Sequence, residues 1–284
     1  MSRPAIDRSL LFFAVAIKVY VGATNRKAID KIRQALGTDE WDEREFHFNR
    51  LSEYLNQRET TRDLYRAIAE ICSPFAAFAE DVILDGTGIS LTSRGTYRSE
   101  QYPQSLTAGR QYARLNLAMD RVLKIFPGAI VTPMRGKGTG ELTQAPELLR
   151  RLEASGWQAK RILADGLYAV EPFFSAVEEY GAEPIVPLRR IYNEKRLPKS
   201  PLMLKVYRQF KADPDAFYEI YRLRPLVESG ISSLKRKFAG SVRSKTIRAQ
   251  MNEILLKVLC HNIDCVIHAT HRYGLSIEQL IKML

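Results

Sequence analysis

The chain has 284 residues, 45% of them hydrophobic and 26% charged, with 43 Lys plus Arg against 32 Asp plus Glu and a formal net charge of +11. That length buries a sizeable core, in one large domain or two smaller ones, and the composition excludes a disordered or collagenous chain. The basic surplus favours a polyanionic partner, nucleic acid ahead of an acidic membrane surface because the cations recur along the whole chain, while three cysteines (Cys72, Cys260 and Cys265) make no disulfide framework and suggest a reducing compartment.

The N-terminal SLLFFAVAIKVYVGA follows Arg3 and Arg8 like a leader segment. Lys18 interrupts it, and its apolar run is at the short end for a leader and far too short to span a bilayer, so it reads as a buried helix. Helical spacing continues to about residue 80, over Ile6 to Val21, Asn25 to Leu36 (closed by Gly37), Glu43 to Leu55 and Arg62 to Ala79. The second and third of these, joined by Gly37-Thr38-Asp39-Glu40, spell either a helix-turn-helix that lays one helix in a DNA groove or a small helical domain packed for its own sake.

At Asp81 the texture changes. DVILDGTGISL, ARLNLAMDRVLKI and GAIVTPM read as strands, followed by the helix QAPELLRRLEASG, the strand AKRILADGLY, the helix EPFFSAVEEYG and the strand EPIVPLRRI. That order predicts an α/β domain over residues 81–284. The basic, poorly periodic stretch at about 192–213 reads as an insertion or loop, and everything from Pro214 onward reads as helix.

Two of the strands end alike, in Val82-Ile83-Leu84-Asp85-Gly86 and Ile162-Leu163-Ala164-Asp165-Gly166. Three apolar residues pin each strand in the core and deliver a carboxylate at the sheet rim, where open α/β sheets bind ligands. Asp-Gly is also simply a good strand-ending turn.

A third carboxylate lies in YRLRPLVESGISSLKRKF, residues 221–238. At about 100° per residue Lys235, Glu228 and Tyr221 fall within about 60° of Arg224, beside an apolar stripe of Ile220, Leu223, Val227, Ile231, Leu234 and Phe238. The helix can therefore bury its apolar side on a sheet and hold the polar group at the edge of that contact. Pro225 suits a first helical position, so the sequence leaves open whether Tyr221 and Arg224 precede the true start.

These residues carry a resemblance to the DDE transposases of bacterial and archaeal insertion sequences, whose last catalytic helix has the pattern Y-x2-R-x3-E-x6-K. Tyr221, Arg224, Glu228 and Lys235 match all four positions, and the two aspartates precede them in the family's order. SLKRKFAGSVRSKT, NEILLKVLCHN, RPAIDRSLLFFAVAIKVY and FNRLSEYL resemble further blocks of one subgroup. Asp165-Gly166-Leu167-Tyr168 departs from the Asp-x-Gly-Tyr often found at the second aspartate.

The resemblance implies a ribonuclease-H-like mixed sheet flanked by helices, with an N-terminal helical domain over residues 1–80. In it Asp85, Asp165 and Glu228 would be catalytic and would hold two Mg²⁺ or Mn²⁺ ions, which suit hard carboxylate oxygens. The implied activity is cleavage of DNA at the element's terminal inverted repeats and transfer of the freed 3′-hydroxyl into target DNA, by a homodimer in the cytoplasm at the nucleoid. Tyr221, Arg224 and Lys235 would contact DNA at the cleaved end, with Lys235, Arg236, Lys237, Arg243, Lys245 and Arg248 extending a phosphate track. A nuclease without strand transfer and a DNA-binding regulator with a vestigial site are the alternatives.

Two further patterns are weaker. His261, Cys265 and His268 share a face of an apolar helix without a partner pair elsewhere and read as packing residues. MRGKGTGE, residues 134–141, has the glycines of a phosphate cradle without its Gly-Lys-Ser/Thr and reads as a turn.

Overall fold

The computed structural model describes residues 6–37, 47–91, 112–133, 138–188, 196–274 and 276–283. The chain divides into two compact units: residues 1–67, 88–113 and 234–261 form the first, and residues 68–87, 114–233 and 262–284 the second.

In the first unit helix α1 (Arg8–Tyr20) starts where the Asp7 carboxylate accepts the Ser9 N–H at 2.6 Å. Helix α2 (Asn25–Leu36) is capped by Thr24 and closed by Gly37 in the left-handed conformation. Helix α3 (Asn49–Leu55) follows; residues 38–46, which contain most of the expected link of a helix-turn-helix, lie outside the described residues. Ala14, Val15, Ala28, Ile32, Leu51 and Leu55 are fully buried here, so the N-terminal apolar run is a core helix. No described helix is long and apolar enough to cross a membrane.

The later part of this unit is organised by polar residues of a long helix, numbered α10 below (Ile247–Tyr273). Asn252 donates to Leu55 O at 2.8 Å and accepts from the Thr61 hydroxyl at 2.8 Å. Glu253 accepts the N–H groups of Arg243 and Ser244 at 2.9 and 2.8 Å, while Lys257 donates to the carbonyls of Ala239 (3.0 Å) and Ser241. Two buried charges thus supply the partners that the irregular backbone at 239–244 would otherwise lack. Burial pushes Lys18 below the usual lysine range and Lys257 down to about 8, with Glu253 opposing the shift in both.

Helix α4 (Arg58–Cys72) leads into the second unit and gives way to a 3₁₀ turn, Ser73–Phe78, at Pro74, which has no N–H to continue an α-helix. A five-stranded sheet follows, in the order β3-β2-β1-β4-β5, with β1 Asp81–Ser90, β2 Tyr112–Asp120, β3 Gly128–Pro133, β4 Arg161–Leu163 and β5 Glu183–Ile185. β4 lies parallel to both β1 and β5. The mixed sheet flanked by helices bears out the expected α/β class.

Helices α5 (Glu141–Ala154) and α6 (Glu171–Tyr180) pack on one face through Leu148, Leu149, Leu152, Phe173, Phe174 and Val177, against a core that includes Val82, Leu84, Trp157 and Ile162. Asp81 at the start of β1 is buried but paired with Arg161 of β4 at 2.5 Å and with Arg121 at 2.9 Å, which anchors the head of β1 to its neighbour.

The stretch read as an insertion or loop carries helix α7 (Pro201–Ala212), capped by Ser200. Its apolar residues do recur at helical spacing, with Met203, Val206 and Tyr207 buried, but the interspersed lysines and arginines hide the pattern. Helices α8 (Pro214–Tyr221), α9 (Leu226–Phe238), α10 and α11 (Ile277–Met283) complete the chain; the expected helical C-terminal part is interrupted at residues 239–246, which are irregular and bridge to Ser90 through Ser241.

Candidate active site

The spacing of the two aspartates follows from the sheet. β1 and β4 pair in parallel as Asp81↔Arg161, Val82↔Ile162 and Ile83↔Leu163, a constant offset of 161 − 81 = 80. Asp85 and Asp165 share that offset (165 − 85 = 80), so parallel neighbouring segments bring both carboxylates to the same level, two residues beyond the ladder. Asp165 also caps the 3₁₀ turn Gly166–Tyr168, its Oδ1 accepting the Leu167 N–H at 2.8 Å. Asp85, by contrast, does not end its strand: β1 runs on to Ser90, and the Asp85 carboxylate accepts the N–H of Gly86 at 2.9 Å.

Pro225 does divide the YRLRPLVE segment. α8 ends at Tyr221 and α9 begins at Leu226, so Tyr221 and Arg224 both precede the helix of Glu228. The chain between them keeps winding through i→i+3 bonds: Arg224 N–H to Tyr221 O at 2.9 Å, Val227 N–H to Arg224 O at 3.2 Å and Glu228 N–H to Pro225 O at 3.1 Å. That continuity is why Arg224 still reaches Glu228 four residues on. Tyr221 stacks on Phe217, ring centroids 6.0 Å apart, and burial raises its phenol above the usual tyrosine range.

Arg224 is where the three carboxylates converge. Its Nη1 pairs with Glu228 Oε1, and its Nη2 stands 3.2 Å from Asp85 Oδ1 and 3.7 Å from Asp165 Oδ2. The side chains of Arg224 and Asp85 are 13% and 15% exposed, those of Asp165 and Glu228 30% and 60%, so the site is closed at Asp85 and open to solvent at Glu228. Burial raises the Asp85 carboxyl above its ordinary range, opposed by Arg224 and the Gly86 hydrogen bond and reinforced by Asp165 and Glu228. Arg224 Nε is buried without a hydrogen-bond partner.

The donor chemistry fits a hard divalent cation. Three carboxylates face one guanidinium and, when ionised, leave an excess of negative charge that a single Arg does not balance. In this arrangement no three acidic, His or Cys side chains among the described residues stand close enough to hold one ion together, and the guanidinium occupies the point at which the three meet.

A fourth carboxylate was not singled out in the sequence. Glu141, the first residue of α5, lies directly over Gly86, where a Cβ would come within 2.6 Å of Glu141 Cγ. Burial raises the Glu141 carboxyl; Arg114 on β2, at 3.7 Å, opposes this, while Asp85 and Asp165 add to it. The available signal was Gly86: a glycine inside a strand marks close approach of another group as readily as it marks a turn.

Lys235, Arg236, Lys237, Arg243, Lys245 and Arg248 belong to the first unit. Lys237 sits over the Tyr20 ring at 4.7 Å and donates to its hydroxyl at 3.2 Å. Arg236, Arg243, Lys245 and Arg248 are exposed, and Arg248 Nη1 donates to Asn56 O at 3.4 Å. Of the weaker patterns, His261 is buried and His268 exposed, residues 134–137 lie outside the described residues, and Gly138 has a positive φ of 77°.

The mixed sheet, ordered 3-2-1-4-5 and flanked by helices, carries the two aspartates level on adjacent parallel segments. The family model described as "Transposase DDE domain" matches residues 76–263, and the chain belongs to that family. Members of the family generally use divalent metal ions. A solved piggyBac transposase, in a cryo-EM structure of its synaptic complex with hairpin DNA, is similar at a TM-score of 0.46 and 11% identity, covering 97% of this chain and 68% of that one. No curated protein matches the sequence.

Proposed function

We propose that this chain is an insertion-sequence transposase that cuts DNA at the element's ends and joins the freed 3′-hydroxyl to target DNA, using Asp85, Asp165 and Glu228 as its catalytic carboxylates. The observation that carries this reading is the meeting of those three side chains, from β1, from the segment after β4 and from α9, on one guanidinium within a DDE transposase domain.

Asp85, Asp165 and Glu228 would hold two divalent ions. When bound, such ions stabilise negative charge developing on the attacking and leaving oxygens of a phosphoryl displacement. The protein's part is to fix the carboxylates: β1 and β4 set the level of Asp85 and Asp165, and the apolar face of α9 sets Glu228. Arg224 balances the carboxylates in the metal-free protein. Its buried, unpartnered Nε and its planar fork suit it to turn to a backbone phosphate when DNA and metal arrive. Tyr221 would hydrogen-bond or stack beside the cleaved end, and Lys235, Arg236, Lys237, Arg243, Lys245 and Arg248 would follow the phosphates. Joining two ends at once calls for a homodimer on DNA.

The test is incubation of the protein with labelled duplexes carrying the repeats that flank its gene, a supercoiled target plasmid and Mg²⁺. Label joined to the plasmid supports the transposase reading. Cleaved duplex without joined product shows instead a nuclease lacking strand transfer, and stable binding without either product shows a DNA-binding regulator.

A further inference from the structure

We propose that Glu141 is a fourth metal-facing carboxylate of this site, a further catalytic residue that contacts a divalent ion directly or through one of its waters. This rests on the reading of Asp85, Asp165 and Glu228 as metal-holding residues.

Gly86 marks the close approach of Glu141 to β1. It is the neighbour of Asp85 in the interior of a ten-residue strand, where glycine weakens strand packing and any other residue would place a Cβ. That Cβ would fall within 2.6 Å of Glu141 Cγ, closer than real Cβ contacts come, so the Glu141 side chain lies against the bare backbone of β1 beside Asp85. Glu141 opens α5 at a cap residue, Gly140, that offers no side-chain hydrogen bond. Its carboxylate lies against β1, the middle strand of the sheet, where it is partly buried and within electrostatic reach of Asp85, Asp165 and Arg224.

Arg114 is the only cation paired with Glu141 among the described ion pairs, and at 3.7 Å with one nitrogen it is a loose pair, not a bidentate lock. A carboxylate within reach of Asp85 and Asp165, loosely paired with Arg114 and sharing Arg224 with the other carboxylates, has little counter-charge for its position. A hard cation shared with Asp85 would supply that counter-charge. Glu141 and Glu228 would then reach the ion from two different helices, α5 and α9, with Asp85 between them on the sheet.

The experiment is Mn²⁺ binding to the full-length protein without DNA, followed by calorimetric titration and by the electron paramagnetic resonance of free Mn²⁺, for the wild type, Asp85→Asn, Glu141→Gln, Glu141→Asp and Arg114→Gln. The proposal predicts that Glu141→Gln weakens Mn²⁺ binding by about 10-fold or more, that Glu141→Asp recovers part of it, and that Arg114→Gln leaves it unchanged or tightens it by removing a competing cation. Unchanged Mn²⁺ affinity in Glu141→Gln, while Asp85→Asn loses binding, overturns the role of Glu141 and leaves the three-carboxylate reading standing. Unchanged affinity in Asp85→Asn overturns that reading itself. Should Glu141→Gln fold poorly, Glu141→Asp decides: an affinity equal to wild type there, with Arg114→Gln weakening the site, makes Glu141 and Arg114 a purely structural pair and overturns the proposal.

Discussion

Arg224 Nη2 stands 3.2 Å from Asp85 Oδ1, and both side chains are largely withdrawn from water. The guanidinium that pairs with Asp85 also faces Asp165 and Glu228, so one cation balances three carboxylates. Arg224→Gln removes that balance and should cost about 2 kcal/mol of stability in EDTA from the carboxylates left facing one another. Mn²⁺, the alternative counter-charge, should then raise the melting temperature of the variant more than that of the wild type. Differential scanning calorimetry with EDTA and with Mn²⁺ checks both statements.

The position of Glu228 depends on how closely α9 approaches the sheet. Gly230, two residues on, is buried, and a Cβ there would lie 2.6 Å from Met119 Sδ on β2 and 3.3 Å from Phe126 Cζ. Phe126 is itself held by Asn262, which accepts its N–H at 2.7 Å and donates to its carbonyl at 2.9 Å. Gly230→Ala should gain up to about 1 kcal/mol of helix propensity but cost about 1–3 kcal/mol by overpacking. The expected outcome is a lower melting temperature together with a larger fractional loss of DNA cleavage than of DNA binding, measured on the same preparation.

Asp120, at the end of β2, accepts the Leu123 N–H at 2.7 Å, yet its burial pushes its carboxyl up from 3.8 to about 6. The folded protein therefore holds this proton more tightly than the unfolded chain, so the group's contribution is fully present below about pH 4 and is lost as pH rises through about 6. Asp120→Asn, which keeps an acceptor without the charge, should raise stability at pH 7 by on the order of 2 kcal/mol and flatten the pH dependence between 4 and 6. Urea unfolding across that range reads both effects.

Fold and site were legible to different degrees. The strands around Asp85 and Asp165 stood out because uninterrupted apolar runs have few alternatives to a buried strand. Helix α7 did not, since its buried Met203, Val206 and Tyr207 are spread among lysines and arginines whose stems can cover apolar surface. The break at Pro225 was visible in the sequence; that Arg224 would keep its place beside Glu228 through i→i+3 bonds was not, because a helical wheel carries no information about a 3₁₀ link. Glu141 was missed because its role depends on a strand 55 residues away in sequence (141 − 86) passing beneath it.

Arg243, Lys245 and Arg248 are exposed, Arg243 in the backbone that Glu253 and Lys257 hold in place, Lys245 just after it and Arg248 at the start of α10. Replacing each with Gln should weaken binding to all duplexes alike and lower the slope of log affinity against log salt by about one per charge. Glu253→Gln should act less uniformly, because it loosens backbone and removes no phosphate contact. Fluorescence anisotropy over a salt series separates the two behaviours.

Whether Asp85, Asp165 and Glu228 form one metal-dependent DNA-cleaving centre is decided by the rate of end cleavage in Mg²⁺ for the wild type and for Asp85→Asn, Asp165→Asn and Glu228→Gln at matched DNA occupancy. The expected result is cleavage by the wild type that EDTA abolishes, and a loss of at least about 100-fold in each variant with DNA binding retained. Cleavage at the wild-type rate in any one of the three variants, or cleavage that persists in EDTA, would contradict it.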